Sequence, residues 1–499
     1  MERAERITMV LLRPIVDFIG HFFRRRRTLS ADIGPDSGSL PAPWSEDKRW
    51  YSADFPPRAH NRIVPLLHGD EYFADLIETL RGAEKRVTIA GWALTPLISL
   101  IRHDRQTSVD SILAHVLNEV SQRVEVLVLT WSGAPAFFEP SVRMAEDAQR
   151  TLQAIAPRVR YALDHRASMG HDHHQKAVTV DGRVAYVGGI DLSTFQGDRW
   201  DTMQHELRFG PNWHDVQLRL EGVVVGDVEE NFLQRWQAVT GEQLERLPAR
   251  VEPAFETPAQ VIRTVPAGFY PFAERGEFGI AHAYLAAIAR AERLIYLENQ
   301  YLWTPEIVDA LADAMNRPHA GPFRIVLVLP AKAYTGKYDN DDHVKKLQEI
   351  DAGRGIFHAY SPYASGPAFG RTGFHYLPIY VHAKVGIIDD EWFTVGSANL
   401  NRRGMATDTE MNVQAVDPGV ARALRVRLWS DHLELPVQEI VKADPISLID
   451  GAWKDVARNL EAAMRARTVP PNGHALRYIP GTNPGSRVLD AVQIATLEK

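Results

Sequence analysis

Apolar and polar positions along the chain form two series that repeat each other. The run AEKRVTIAGWAL begins at Ala83 and AERLIYLENQYL begins at Ala291, 208 residues later. Both have the short apolar character of strands. Each follows a stretch with helix-like spacing of apolar residues, EYFADLIETLRG before the first and IAHAYLAAIAR before the second. A further strand-like run follows in each series, VEVLVLT from Val124 and RIVLVLP from Arg324. Strands alternating with helices predict α/β units. Their recurrence predicts two such halves, each built around a central sheet.

The same offset relates two polar clusters. His174, Lys176 and Asp181 form H-x-K-x4-D, followed by Gly188-Gly189-Ile190-Asp191. Downstream, His382, Lys384 and Asp389 repeat it, followed by Gly396-Ser397-Ala398-Asn399. H-x-K alone means little. His343-Val344-Lys345 has it too, but Ile occupies position 350 and no Gly-Ser-Asn follows. The duplicated full motif is the informative signal.

Composition narrows the chemistry. The 499 residues are 45% hydrophobic, enough for a large core without staples. The absence of cysteine excludes disulfides, thiolate metal ligands and a cysteine nucleophile. A net charge of −7 argues against a dedicated nucleic-acid binder. Near the N-terminus, Leu11, Leu12, Ile15, Ile19, Phe22 and Phe23 fall near one helical face, with Arg24 to Arg27 behind them. This suits an interfacial helix with a basic anchor, or a helix packed on its own domain. The segment is too short and too polar for a bilayer span and lacks a signal peptide's layout. The expected location is cytoplasmic or peripheral to a membrane.

The two motifs, with GGIDLSTFQGDRWDTMQH, WHDVQLRLEG, LENQYL and GSANLNRRGMATDTEMN, resemble the phospholipase D superfamily. Within it they look like the eukaryotic-type enzymes that act on glycerophospholipids. The resemblance covers approximately Ser52 to Pro445. It implies an α/β fold of two similar halves, each a mixed sheet flanked by helices, related by a pseudo-two-fold with one active site between them. The expected divisions are an amphipathic and basic segment with a linker over 1–51, the first half over 52–255, the second over 256–445, and a C-terminal helix and tail over 446–499.

Cleaving a phosphodiester in two steps needs a nucleophile, an acid for the leaving alcohol, and positive charge around the phosphoryl oxygens. Two histidines and two lysines supply these without a metal or other cofactor. The resemblance implies that His174 attacks phosphorus to give a phosphohistidine while His382 protonates the leaving headgroup. Lys176 and Lys384 would neutralise the phosphate, and Asn399 would donate a hydrogen bond to it. Asp191, at the position matching Asn399, would repel a phosphate and is not assigned to it. Each histidine needs an orienting acceptor. Asp201, 27 residues after His174, and Glu410, 28 after His382, are the parallel candidates, with Glu206 a fallback for the first half. The motif aspartates Asp181 and Asp389 join the catalytic candidates, although strand ends suit structural roles equally. Ser397, Asn299 and Gln300 are candidates for substrate binding. Trp213-His214-Asp215 and Glu298-Asn299-Gln300 suit either that role or the interface between halves.

Other readings use the same residues. His171, Asp172 and His173 could bind a metal with His174, but the second motif lacks these neighbours; a solvated loop or substrate contact is the plainer reading. Asp339 to His343 lacks the glycine and terminal glutamate of a calcium loop and reads as a solvated acidic loop. Tyr334 to Tyr338 is not a phosphate-binding loop. The expected activity is hydrolysis of a glycerophospholipid, such as phosphatidylcholine, to phosphatidic acid and free headgroup, with transphosphatidylation to alcohols. A phosphatidyltransferase resembling cardiolipin or phosphatidylserine synthase is an alternative, as is a nucleic-acid phosphodiesterase. A membrane-binding protein with a decayed site is a non-catalytic alternative. The expected partner is a phospholipid surface, not nucleic acid, and a monomer should be competent.

Overall fold

The computed structural model describes residues 55–481, apart from short stretches at 104–105, 135–138, 168–170, 209, 334–336, 368–372 and 471. The expectations for the N-terminal helix and basic cluster, and for the last residues of the tail, lie outside the described residues. So does much of the Tyr334 to Tyr338 stretch.

The first half carries seven main strands: β1 (Arg58–Leu67), β2 (Arg86–Gly91), β3 (Glu125–Trp131), β4 (Arg160–Asp164), β5 (Ala177–Val180), β6 (Val184–Gly188) and β7 (Val216–Gly222). The second carries their counterparts: β8 (Thr257–Val265), β9 (Leu294–Glu298), β10 (Arg324–Val328), β11 (Phe357–Pro367), β12 (Val385–Ile388), β13 (Trp392–Gly396) and β14 (Glu410–Val416). In the first half β4, β3 and β2 run parallel; β5, β6, β7 and β1 then continue antiparallel. The order β11, β10, β9, β12, β13, β14, β8 repeats that pattern in the second. Parallel neighbours require crossovers, which helices provide. Those between parallel neighbours are α2 (Leu113–Ser121) and α3 (Val142–Ile155) in the first half and α6 (Pro305–Asn316) and α7 (Lys337–Asp351) in the second; α1 (His68–Arg81), α4 (Val224–Thr240), α5 (Gly279–Arg290) and α8 (Pro418–Leu433) are the other main helices. The expected duplicated α/β fold is therefore present.

The two sheets meet face to face. Val187, Leu218 and Leu220 from the first half share one buried cluster with Phe393, Val395 and Val413 from the second. Each sheet's other face is covered by helices: Leu76, Leu117 and Leu152 pack with Val126 and Val128, and Ile288 and Leu311 pack with Ile295 and Leu327. Strands covered on both sides explain why their sequences are continuously apolar rather than alternating. Edge strands β1 and β8 join the sheets through Arg58↔Ala259 and Asn61↔Thr257, with a register shift between.

One expectation for the periphery is corrected. Asp339 to His343 belongs to α7, not to a loop. There Asn340 and Asp341 are buried; Asp341 accepts from the Tyr478 hydroxyl at 2.7 Å and from the Gly481 amide at 3.0 Å. The tail also has a structural use, because Ala475–Arg477 adds a strand beside Tyr360 to Pro362 of β11. Among the described residues, no helix is long and apolar enough to cross a membrane.

Candidate active site

Each motif histidine lies just before a strand, on a segment docked against the opposite half. The His174 amide donates to the Thr409 carbonyl at 2.9 Å, and the Thr409 amide donates to the Asp172 carbonyl at 3.1 Å. Likewise, the amides of His382 and Ala383 donate to the His214 carbonyl at 2.8 and 3.2 Å. The halves thus exchange backbone contacts at the base of the site.

This exchange decides which carboxylate meets which imidazole. His174 Nδ1 donates to Glu410, with Oε1 and Oε2 at 2.9 and 3.0 Å. His382 Nδ1 donates to Asp215 Oδ2 at 2.7 Å. Glu410 thus lies beside the histidine of the other half rather than beside His382. Asp201 does not contact His174. It accepts instead from His205 Nδ1 at 3.0 Å, the Trp213 amide at 2.7 Å and Asn212 at 3.1 Å. Glu206 is exposed on the loop, and its carbonyl accepts from Asn212.

Asp215 was the acceptor that the sequence did not single out. Asp215 and Glu410 occupy equivalent places, because Gln217 pairs with Gly188 as Asn412 pairs with Gly396. Yet Asp215 lies 41 residues after its own half's histidine and Glu410 only 28. A longer loop in the first half breaks the constant offset. The usable signal was an acid at the start of a strand-like run, VQLRLEG after Asp215 and MNVQAV after Glu410.

The lysines are buried beside the histidines. Lys176 Nζ donates to the His174 carbonyl at 2.7 Å and lies 3.9 Å from Asp191 Oδ2. Asp191 also accepts from the Ala93 amide at 3.1 Å, so its carboxylate is turned toward Lys176 and a strand end. Lys384 donates to the His382 carbonyl and lies 3.4 Å from Gln300 Oε1. Arg199, buried over the Trp213 ring at 4.3 Å, adds a cation that the sequence reading missed. Burial, reinforced by Lys176 for His174 and by Lys384 and Arg199 for His382, holds both imidazoles well below the ordinary histidine range. Burial also lowers Lys176, brings Lys384 down to about 7, and raises Glu410 and Asp215. With Nδ1 of each neutral imidazole donating to a carboxylate, Nε2 carries the free lone pair. Such a site is preorganised for an anion.

The remaining candidates divide. Ser397 Oγ donates to Glu410 Oε2, which fixes the carboxylate behind His174. Gln300 donates to the hydroxyls of Tyr301 at 2.9 Å and Tyr380 at 2.6 Å while its oxygen meets Lys384. Asn299 accepts from the amides of Tyr301 and Leu400, a loop-bracing arrangement. Asn399 Oδ1 is buried without a hydrogen-bond partner.

Asp181 and Asp389 are corrected from catalytic candidates to structural ones. Asp181 accepts from the amides of Glu84, Lys85 and Arg86 at 2.9, 2.7 and 3.0 Å. Asp389 accepts from those of Glu292, Arg293 and Leu294 at 2.7, 2.8 and 2.7 Å. Both carboxylates cap the start of a neighbouring strand, at the end of β5 and β12 away from the histidines. The residues of the alternative metal set around His174 are dispersed among other partners. His171 Nδ1 meets the Thr407 carbonyl, Asp172 pairs with Arg403 at 2.9 Å, and His173 lies between Thr409 and Asp164.

Comparison with known proteins identifies the family. The family described as "Phospholipase D" matches residues 79–212, and "Cardiolipin synthase, PLD-like domain" matches 284–432. The chain belongs to the phospholipase D superfamily, with a two-motif site assembled from both halves. Its resemblance within that superfamily is to the eukaryotic-type phospholipases D. It is 25% identical to phospholipase D A of Dictyostelium discoideum over 76% of this chain and 36% of that protein. It is also 25% identical to phospholipase D alpha 1 of Ricinus communis, over 74% of this chain and 65% of the relative. The chain therefore spans about a third to two-thirds of these relatives' lengths. The phosphatidylserine synthase structure from Haemophilus influenzae Rd KW20 shares the fold, with a TM-score of 0.52 at 12% identity over 85% of this chain and 98% of the other.

Proposed function

We propose that the protein is a phospholipase D that cleaves the distal phosphodiester of a glycerophospholipid such as phosphatidylcholine. The observation that carries this reading is the pair of imidazoles, His382 buried and His174 partly so, each donating through Nδ1 to a carboxylate of the opposite half and flanked by a buried lysine. His174 Nε2 attacks phosphorus as the bond to the headgroup oxygen breaks, and His382, protonated at Nε2 on substrate binding, gives that oxygen its proton. His382 then takes a proton from water as the water oxygen attacks phosphorus and the P–N bond breaks, releasing phosphatidic acid. An alcohol in place of water yields a phosphatidyl-alcohol. Lys176, Lys384 and Arg199 supply charge that the phosphoryl oxygens would otherwise lack in a dry site. The phosphate's negative charge supports protonation of His382, which burial opposes in the free enzyme.

A phosphatidyltransferase is the second reading. The family description matched by residues 284–432 favours it, because the same intermediate could pass to a lipid alcohol. Phosphatidylcholine vesicles incubated with protein and ethanol, then analysed by mass spectrometry, test the first reading. Phosphatidylethanol and phosphatidic acid should form, and neither should form with His174→Ala. Turnover only when glycerol, serine or phosphatidylglycerol is added would instead select the transferase.

A further inference from the structure

Apart from the two motif histidines, the structure gathers His68, His205, His214 and Asp431 at one fully buried point. His68 opens α1, His205 lies on the loop between β6 and β7, His214 lies two residues before β7, and Asp431 is in the last turn of α8. His68 Nε2, His205 Nε2 and His214 Nδ1 lie 3.4, 3.3 and 3.3 Å from one oxygen, Asp431 Oδ2. All four donor atoms lie within 4.8 Å of one another. A tetrahedral ion with bonds of about 2.0–2.1 Å places its ligands roughly 3.3–3.4 Å apart. The separations from Asp431 match that figure.

Hydrogen bonding does not account for the arrangement. Both nitrogens of His68, Nδ1 of His214 and Oδ1 of Asp431 are buried without a hydrogen-bond partner. One carboxylate oxygen faces three imidazole nitrogens, and only the one from His205 makes a hydrogen bond with it. The other nitrogens of two of these rings, by contrast, are well served. His205 Nδ1 donates to Asp201 at 3.0 Å, and His214 Nε2 donates to Glu298 Oε2 at 2.6 Å. Outer carboxylates of this kind fix the tautomer and leave the opposite nitrogen free to bind metal.

We propose that His68, His205, His214 and Asp431 bind one divalent first-row metal ion, with zinc the best match to three imidazoles and a carboxylate. With all four positions filled by protein and buried, the ion is structural. Its ligands come from both halves, and its effect reaches the active site through His214. That residue's carbonyl anchors the His382 amide, and the next residue, Asp215, orients the His382 ring. Asp201, which does not reach His174, belongs to this centre as the outer partner of His205.

The test is metal content, measured independently of catalysis. The full chain is loaded with Zn2+, desalted and analysed by inductively coupled plasma mass spectrometry. It should retain about one equivalent of zinc, which a folded His68→Leu variant should lose. Co2+ loading of the wild type should give the strong visible absorption of a tetrahedral site, a readout that stands if His68→Leu does not fold. A loaded wild type that retains no metal, or a folded His68→Leu protein that keeps its full equivalent, would overturn the proposal. The first result would leave the cluster as an ionic network, and the second would place the metal elsewhere.

Discussion

His174 of the first half is oriented by Glu410 of the second, with Nδ1 within 3.0 Å of both carboxylate oxygens. Asp215 performs the reciprocal service for His382 at 2.7 Å. Replacing either acid by its amide should leave the fold intact while permitting the wrong imidazole tautomer. Glu410→Gln and Asp215→Asn should each lower kcat by about two to four orders of magnitude. Steady-state kinetics on phosphatidylcholine, with circular dichroism as a control for folding, checks this. Unchanged kcat in both variants would remove the orienting role.

Gly189 faces Asp215 so closely that a Cβ there would come within 2.1 Å of Asp215 Oδ1. Gly189→Ala should therefore displace the Asp215 carboxylate and reduce kcat more than it reduces vesicle binding. The equivalent residue in the other half is Ser397, whose hydroxyl reaches Glu410 without such a clash. Ser397→Ala should be milder, costing about tenfold or less in kcat for one lost hydrogen bond.

Asp389 serves three backbone amides rather than the reaction, and it sits at a φ of 55° that asparagine tolerates better than alanine. Asp389→Ala should destabilise the protein by about 2–4 kcal/mol, and Asp389→Asn by less. At a temperature where each variant is folded, kcat/KM should remain near wild type. A thousandfold loss of activity with an unchanged melting temperature would return this aspartate to the chemistry.

Lys384 gives a pH prediction with a definite sign. Burial lowers its folded pKa to about 7, below that of an exposed lysine in the unfolded chain. Between those values the unfolded state holds the extra proton, so stability rises with pH through that window. Below about pH 7 the lysine is charged in both states and the full burial penalty applies. Lys384→Met should therefore melt above wild type at pH 6, with the gap shrinking toward pH 9, and should be inactive throughout. In the wild type, kcat/KM should fall above neutral pH as the free enzyme loses this cation. Thermal melts and a pH–rate profile read both effects.

Much of this architecture was legible from local pattern. Buried strands such as VTIAG and LIYLE announce themselves by composition, and an offset of 208 residues tied His174 to His382 and Lys176 to Lys384. The acceptors were harder to place because they depend on which strand ends meet across the two sheets. Separation within a half made Asp201 and Glu410 look equivalent, whereas strand register makes Asp215 the counterpart of Glu410. Asp181 and Asp389 show the opposite limit. A motif acid beside catalytic residues in sequence can point, one strand later, to the far end of the sheet.

The crossed orientation of the histidines also bears on how such a duplicated chain can change. Under the proposed mechanism, damage to the acid in one repeat silences the imidazole in the other, so neither copy can decay while its twin keeps working. The same crossing permits divergence of a gentler sort. Each copy can alter its own acid, Asp215 on a long loop or Glu410 on a short one, and thereby adjust the reactivity of its sibling's histidine alone. A molecule built from two similarly folded halves thus has two separately adjustable controls for the two unlike roles proposed for its histidines.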